Sequence, residues 1–105
     1  MNQKTPAFLA ALLLALPVLA GDAVTVTQKG LRFSESALTV DKGQAITFMN
    51  DDSTAHNITV SGEGVSINGG LQAPGASTRI PFAKPGVYAI SCGIHPKMKM
   101  TVTVK

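Results

Sequence analysis

Val87-Tyr88-Ala89-Ile90-Ser91-Cys92-Gly93-Ile94-His95-Pro96-Lys97-Met98 decides how the chain folds, because its period changes partway. Through Cys92 it alternates, which places Tyr88, Ile90 and Cys92 on one face of an extended strand. After Cys92 the alternation stops. A turn follows, and His95 and Met98 come at spacings of three and six from the cysteine. The strand therefore ends on an inward thiol, and a short loop carrying an imidazole and a thioether follows it.

The same period-two pattern recurs along the chain. Ala23 to Thr27 alternates, with Val24 and Val26 on one face. Leu31-Arg32-Phe33 and Ala37 to Val40 read as short strands. Asp41-Lys42-Gly43-Gln44 is a turn, and Ala45 to Asn50 puts Ile46 and Phe48 together. The polar loop Asn50-Asp51-Asp52-Ser53 leads into a strand over 56–60, where His56, Ile58 and Val60 share a face. Val65-Ser66-Ile67 is short and glycine-flanked. Thr78 to Phe82 reads as a strand interrupted by Pro81, and Met100 to Val104 closes the chain. Seven or eight short strands with turn signals at close spacing predict an all-β sandwich or barrel of one domain.

Parity then aims two side chains. Ile58 and Val60 are apolar, so their face is the core face, and His56 points inward from the start of its strand. Cys92 points inward from the end of another. If those strands run antiparallel, both residues reach the same end of the sandwich, and the loop after Cys92 brings His95 over the top. Taken singly, an inward His, Cys or Met is ordinary core material. Thiolate, two imidazoles and a thioether converging at one end form a soft to borderline donor set, which suits copper better than a hard cation. Met100 shares parity with Val102 and Val104 and is assigned to the core, which leaves Met98 as the fourth ligand.

Composition agrees with an exported metal domain. Lys4, the apolar run Ala7 to Leu16 and Val18-Leu19-Ala20 read as a signal peptide over residues 1–20, with the domain over 21–105. The apolar run is shorter than the roughly 20 residues a bilayer requires. The chain has a single cysteine, Cys92, so no internal disulfide is available to a small domain. A metal is the natural occupant of such a thiol. The formal charge of +3 is mild and comes without a Lys/Arg run, which gives no case for nucleic acid. The glycines between Gly62 and Gly70 lack the Lys-Ser/Thr ending of a phosphate loop.

The pair His56-Asn57 after a polar loop, with Cys-x2-His-x2-Met before the final strand, resembles the cupredoxins, the type 1 blue copper proteins, and its short loop is most similar to the amicyanin-like members. The resemblance implies a Greek-key β-sandwich with one copper per chain near one end. His56, Cys92, His95 and Met98 would be its ligands and His95 the exposed electron port. It also implies one-electron transfer in the periplasm. In the family, Asn57 ties the two ligand segments together, and its backbone N–H can donate to the cysteine sulfur. Ile94 stands where such loops often carry proline, which has no N–H, so a second N–H···S bond from Ile94 is expected to raise the potential.

Lys97 and Lys99 flank the port and are expected to steer acidic partners, such as a c-type cytochrome or a periplasmic dehydrogenase. A monomer without a membrane span is expected after cleavage. The rival role is a periplasmic copper chaperone or store using the same ligands. An enzyme is not expected, because the chain has only two histidines and the one site takes both.

Overall fold

The computed structural model describes residues 24–105. The expected signal segment at 1–20, the expected domain start at Gly21, and Ala23 lie outside the described residues. The described chain forms eight strands and no helix: β1 Val24–Gln28, β2 Ala37–Val40, β3 Gln44–Asn50, β4 Ile58–Gly62, β5 Val65–Asn68, β6 Ser77–Phe82, β7 Gly86–Cys92 and β8 His95–Val104. One sheet has the order β1-β3-β6 and the other β2-β8-β7-β4-β5. Strand β1 is parallel to β3 and β2 is parallel to β8, while the remaining pairs are antiparallel. The architecture is the expected all-β sandwich.

Alternation builds the core. Val26, Ile46 and Phe48 from one sheet face Ile58, Val60, Tyr88, Ile90, Met100, Val102 and Val104 from the other, and all are buried. Burying each such side chain contributes about 1.5–3 kcal/mol, which makes these rows the main source of stability. Phe82 and Tyr88 meet edge-on across the sheets with ring centroids 5.4 Å apart, and the Tyr88 hydroxyl donates to the Lys84 carbonyl at 2.6 Å. Pro81 continues β6 rather than interrupting it. That strand lies at a sheet edge, where a missing N–H costs no ladder bond to a further strand.

Other local expectations change as well: the strand expected over 56–60 runs from Ile58 to Gly62, with His56 in an isolated bridge to Gln72. Leu31-Arg32-Phe33 is not a strand. Gly30 and Leu31 have φ of 63° and 59°, so the chain turns there, and Phe33 makes only an isolated bridge to Gln28. The final strand begins at His95, well before Met100. The turn after Cys92 is only Gly93-Ile94, and Cys92 pairs with His95. The register then jumps, because Ser91 pairs with Lys99. Pro96, Lys97 and Met98 therefore have no partner on β7 and form a bulge that does the work expected of a loop.

Candidate metal centre

Cα register puts Cys92 opposite Ile58, with β4 and β7 antiparallel as the parity argument required. His56 lies two residues before Ile58 on the same face and is fully buried. Its backbone N–H donates to the Gln72 carbonyl at 2.9 Å, and its carbonyl accepts from Gln72 N–H at 2.7 Å. This two-bond bridge holds the residue at the sandwich end although it lies outside the regular strand. The Gly93-Ile94 turn then folds His95 back over Cys92.

The outcome is a triangle of donor atoms. His56 Nδ1 and His95 Nδ1 are 3.2 Å apart, and each is 3.6 Å from Cys92 Sγ. The point equidistant from three atoms at those spacings is about 2 Å from each, close to the length of a metal–nitrogen bond. The imidazole rings stand edge to face, with centroids 5.0 Å apart. Among the described residues, these three side chains are the group of metal-binding type that converges. The donor chemistry and the spacing both fit copper.

Met98 is buried, with 3% of its surface exposed. It borders the same surface hollow as His95 and Leu31. Met100 is equally buried, but it belongs to the hydrophobic core and pairs with Ile90. The two methionines thus separate, with Met98 beside the cluster and Met100 below it.

The surroundings hold the donors in place. Asn57 N–H donates to Cys92 Sγ at 3.3 Å, and the Asn57 carbonyl accepts from Gly93 N–H at 2.8 Å. The Asn57 side chain donates to the Asn68 side chain and the Gly70 carbonyl, so it also ties the 68–70 segment to the site. Gly93 is required here, because a Cβ would collide with the Asn57 side-chain oxygen. The expected second N–H···S bond is not formed among the described residues. Ile94 is the second residue of the tight turn, and its side chain is 49% exposed at the tip.

Asp52 is the residue that sequence reading passed over as part of a polar loop. Its Oδ2 lies 2.7 Å from His56 Nε2. Its two oxygens also accept the backbone N–H groups of Gly30 at 2.6 Å and Leu31 at 3.1 Å. Partial burial pushes this carboxyl up. The hydrogen bonds from His56, Leu31 and Gly30, with the attraction of His56, outweigh burial and hold it below the usual range. With Nε2–H donating to the carboxylate, Nδ1 turns its lone pair toward Cys92, the tautomer a metal ligand requires. The available signal was a carboxylate four residues before a candidate ligand histidine.

Comparison with known proteins places these features. Residues 20–105 match the family model for copper-binding proteins of the plastocyanin/azurin family. Plastocyanin from Ulva arasakii is 33% identical over 86 residues, covering 71% of this chain and 88% of that protein. Plastocyanin from Scenedesmus fuscus is 31% identical over the same length. A purple cupredoxin from Nitrosopumilus maritimus superposes with a TM-score of 0.69 at 28% identity, covering 78% of this chain and 99% of the other. A copper(I) form of an amicyanin variant gives a TM-score of 0.74 over 82% of this chain and 85% of the other; at 22% identity that likeness speaks for the fold. The chain belongs to the plastocyanin/azurin family of copper-binding proteins, and its converging histidine and cysteine side chains support one copper per chain.

Proposed function

We propose that this protein is a periplasmic one-electron carrier in which His56 Nδ1, Cys92 Sγ and His95 Nδ1 would hold one copper, with the Met98 thioether as the fourth donor. The observation that carries this reading is the triangle of donor atoms, already closed to metal-binding size by hydrogen bonds from outside it. Copper supplies the redox couple, cycling between its cuprous and cupric states. The chain's own residues supply rigidity, shielding and access.

Rigidity comes from His56 and Cys92. Asp52 and the Gln72 bridge fix the His56 ring, and Asn57 N–H stabilises negative charge on Cys92 sulfur. Donors held in this way rearrange little when charge changes, which keeps the barrier to electron exchange low. Shielding comes from the buried rows beneath the site. Access comes from His95, which is only partly buried and is ringed by exposed Leu31, Ile94 and Pro96. Arg32, Lys97 and Lys99 lie beside that apolar patch and are exposed. Their charge favours an acidic partner such as a c-type cytochrome or a periplasmic dehydrogenase. The signal-like residues 1–20 support export, and no described helix is long and apolar enough to cross a membrane.

Both histidines of the chain are in this one cluster, so no second copper centre of histidine type is available for catalysis. A copper-containing nitrite reductase from Thermus scotoductus superposes on this chain with a TM-score of 0.76, but only 25% of that enzyme is covered. The test is the visible spectrum with cupric ion, followed by voltammetry. An intense thiolate-to-copper band with reversible one-electron cycling is expected. A weak band, or copper surrendered to a mild chelator, would assign the protein to copper handling.

A further inference from the structure

Two groups hold His56 from outside the metal centre. The Asp52 carboxylate takes its ring, and the Gln72 bridge takes its backbone. One comes from the loop before His56 and the other from the segment that leads into β6. Both meet at Asn50. This residue ends β3, opposite the end of β1 at Gln28, and like Gln28 it is inward and fully buried.

The Asn50 carboxamide is fully committed. Its Oδ1 accepts from Asp52 N–H at 2.9 Å. Its Nδ2 donates to the Thr54 carbonyl at 2.8 Å and to the Gln72 carbonyl at 3.0 Å. That Gln72 oxygen is the same atom that accepts from His56 N–H. The Asn50 backbone is anchored too, donating to the Ala76 carbonyl at 2.9 Å and accepting from Gly75 N–H at 2.8 Å. Asp52 and Gln72 each have a further anchor, in the Gly30 and Leu31 N–H groups and in the Phe48 carbonyl. Among the described residues, Asn50 and His56 are the two whose side chain or backbone bonds to both.

The residue type is specific to this task. A carboxamide offers two N–H donors and an acceptor oxygen on one plane. Here two carbonyl oxygens take the donors and one N–H takes the oxygen, so the partners fix which way the amide faces. An aspartate would bring no donors when ionised, and a serine brings one on a shorter stem. A leucine would leave three backbone groups buried and unpaired, which costs more than the bonds themselves contribute.

We propose that Asn50 is a positioning residue for the metal centre. Its carboxamide locks the Asp52 loop and the Gln72 segment into one unit, and that unit sets the ring and the backbone of His56 together. His56 cannot turn without opening both supports, so Nδ1 stays aimed toward Cys92 Sγ. Asn50 reaches the centre through Asp52 and Gln72 and is not itself a ligand. The proposal rests on the copper reading above.

The test is a cycle of wild type, N50S, D52N and N50S/D52N, read by copper affinity in competition with a chelator. N50S should lose about 10–100-fold in affinity, the range for partners of metal-bound histidines. Its thiolate-to-copper band should shift or weaken, which the loss of a residue that only supports the fold would not cause. The double variant should lie within about twofold of the weaker-binding single variant, because both substitutions open the same unit. A second measurement needs no variant. In the copper-free wild type, the Asn50 Nδ2 hydrogens and the His56 and Gln72 backbone N–H groups should exchange with one shared opening free energy. An N50S that melts lower yet keeps the wild-type copper affinity or band overturns the proposal. So do losses that multiply in the double variant. Fast exchange at Asn50 Nδ2 beside protected His56 and Gln72 N–H groups also overturns it, and this result decides the matter where N50S does not fold. A wild type with no thiolate-to-copper band would instead sink the copper reading, leaving the exchange result to judge the Asn50 tie.

Discussion

The two histidines of the centre reach the same point by opposite means. His56 comes from inside. It is fully buried, bridged twice to Gln72 and hydrogen-bonded through Nε2 to Asp52. His95 comes from outside, on a two-residue turn, and its ring contacts are the other two donor atoms. One ring is part of the scaffold and the other is part of the surface. A centre that exchanges electrons with a partner needs both, because a wholly buried set admits no close approach and a wholly exposed one does not hold its geometry.

The largest effect should come from breaking the inner member. H56A removes a ligand and leaves the Asp52 carboxylate without its buried partner. Copper affinity should fall by more than the roughly 100-fold upper range for losing an outer hydrogen-bond partner. Copper-free stability should drop by about 1–3 kcal/mol in urea unfolding. H95G should lose copper comparably, yet copper-free stability should stay within about 0.5 kcal/mol, as for surface changes generally. Added imidazole should restore the thiolate-to-copper band in H95G and not in H56A, because only the outer position opens to solvent.

A weaker break acts on the support alone. D52N should cost about 10–100-fold in copper affinity by competition with a chelator, as other partners of metal-bound histidines do. It also has a pH signature. The Asp52 carboxyl is held below its ordinary value of 3.8, so its stabilising contribution is present above that value and is lost as pH falls through the lowered one. Urea unfolding of the copper-free wild type should show that loss on acidification, and D52N should not.

The smallest change sharpens the outer member without touching the site. K97E/K99E should slow association with an acidic redox protein by about tenfold at low salt and flatten the salt dependence, with potential and melting unchanged. Association rates indifferent to ionic strength in the wild type would remove the steering role of these lysines.

Much of this contrast was legible in the sequence. Alternation alone placed Ile58, Val60, Tyr88, Ile90 and Cys92 inward, and the structure buries all five. Met98 and Met100 share that parity, and only the position of Met98 ahead of regular pairing set it apart from the core residue Met100. The misreadings occur where alternation carries no information. Leu31 to Phe33 looked extended because its residue types suit a strand, but two successive positive φ values turn it. Asp52 was one acid among polar neighbours, since its partners Gly30 and Leu31 are distant in sequence. Gln28 was passed over at the end of an alternating strand, although parity already turned it inward. Ile94 was assigned a hydrogen bond that the tight turn does not make.

The unpaired bulge at Pro96, Lys97 and Met98 has a consequence for how such a centre varies. Strand pairing resumes at Lys99 opposite Ser91, so this segment is a length inserted into a paired frame. Residues can be gained or lost there without shifting the pairing of any other strand. Descendants of this fold are thus free to re-space the thioether and reshape the docking rim together, while the inner histidine and the cysteine keep their places.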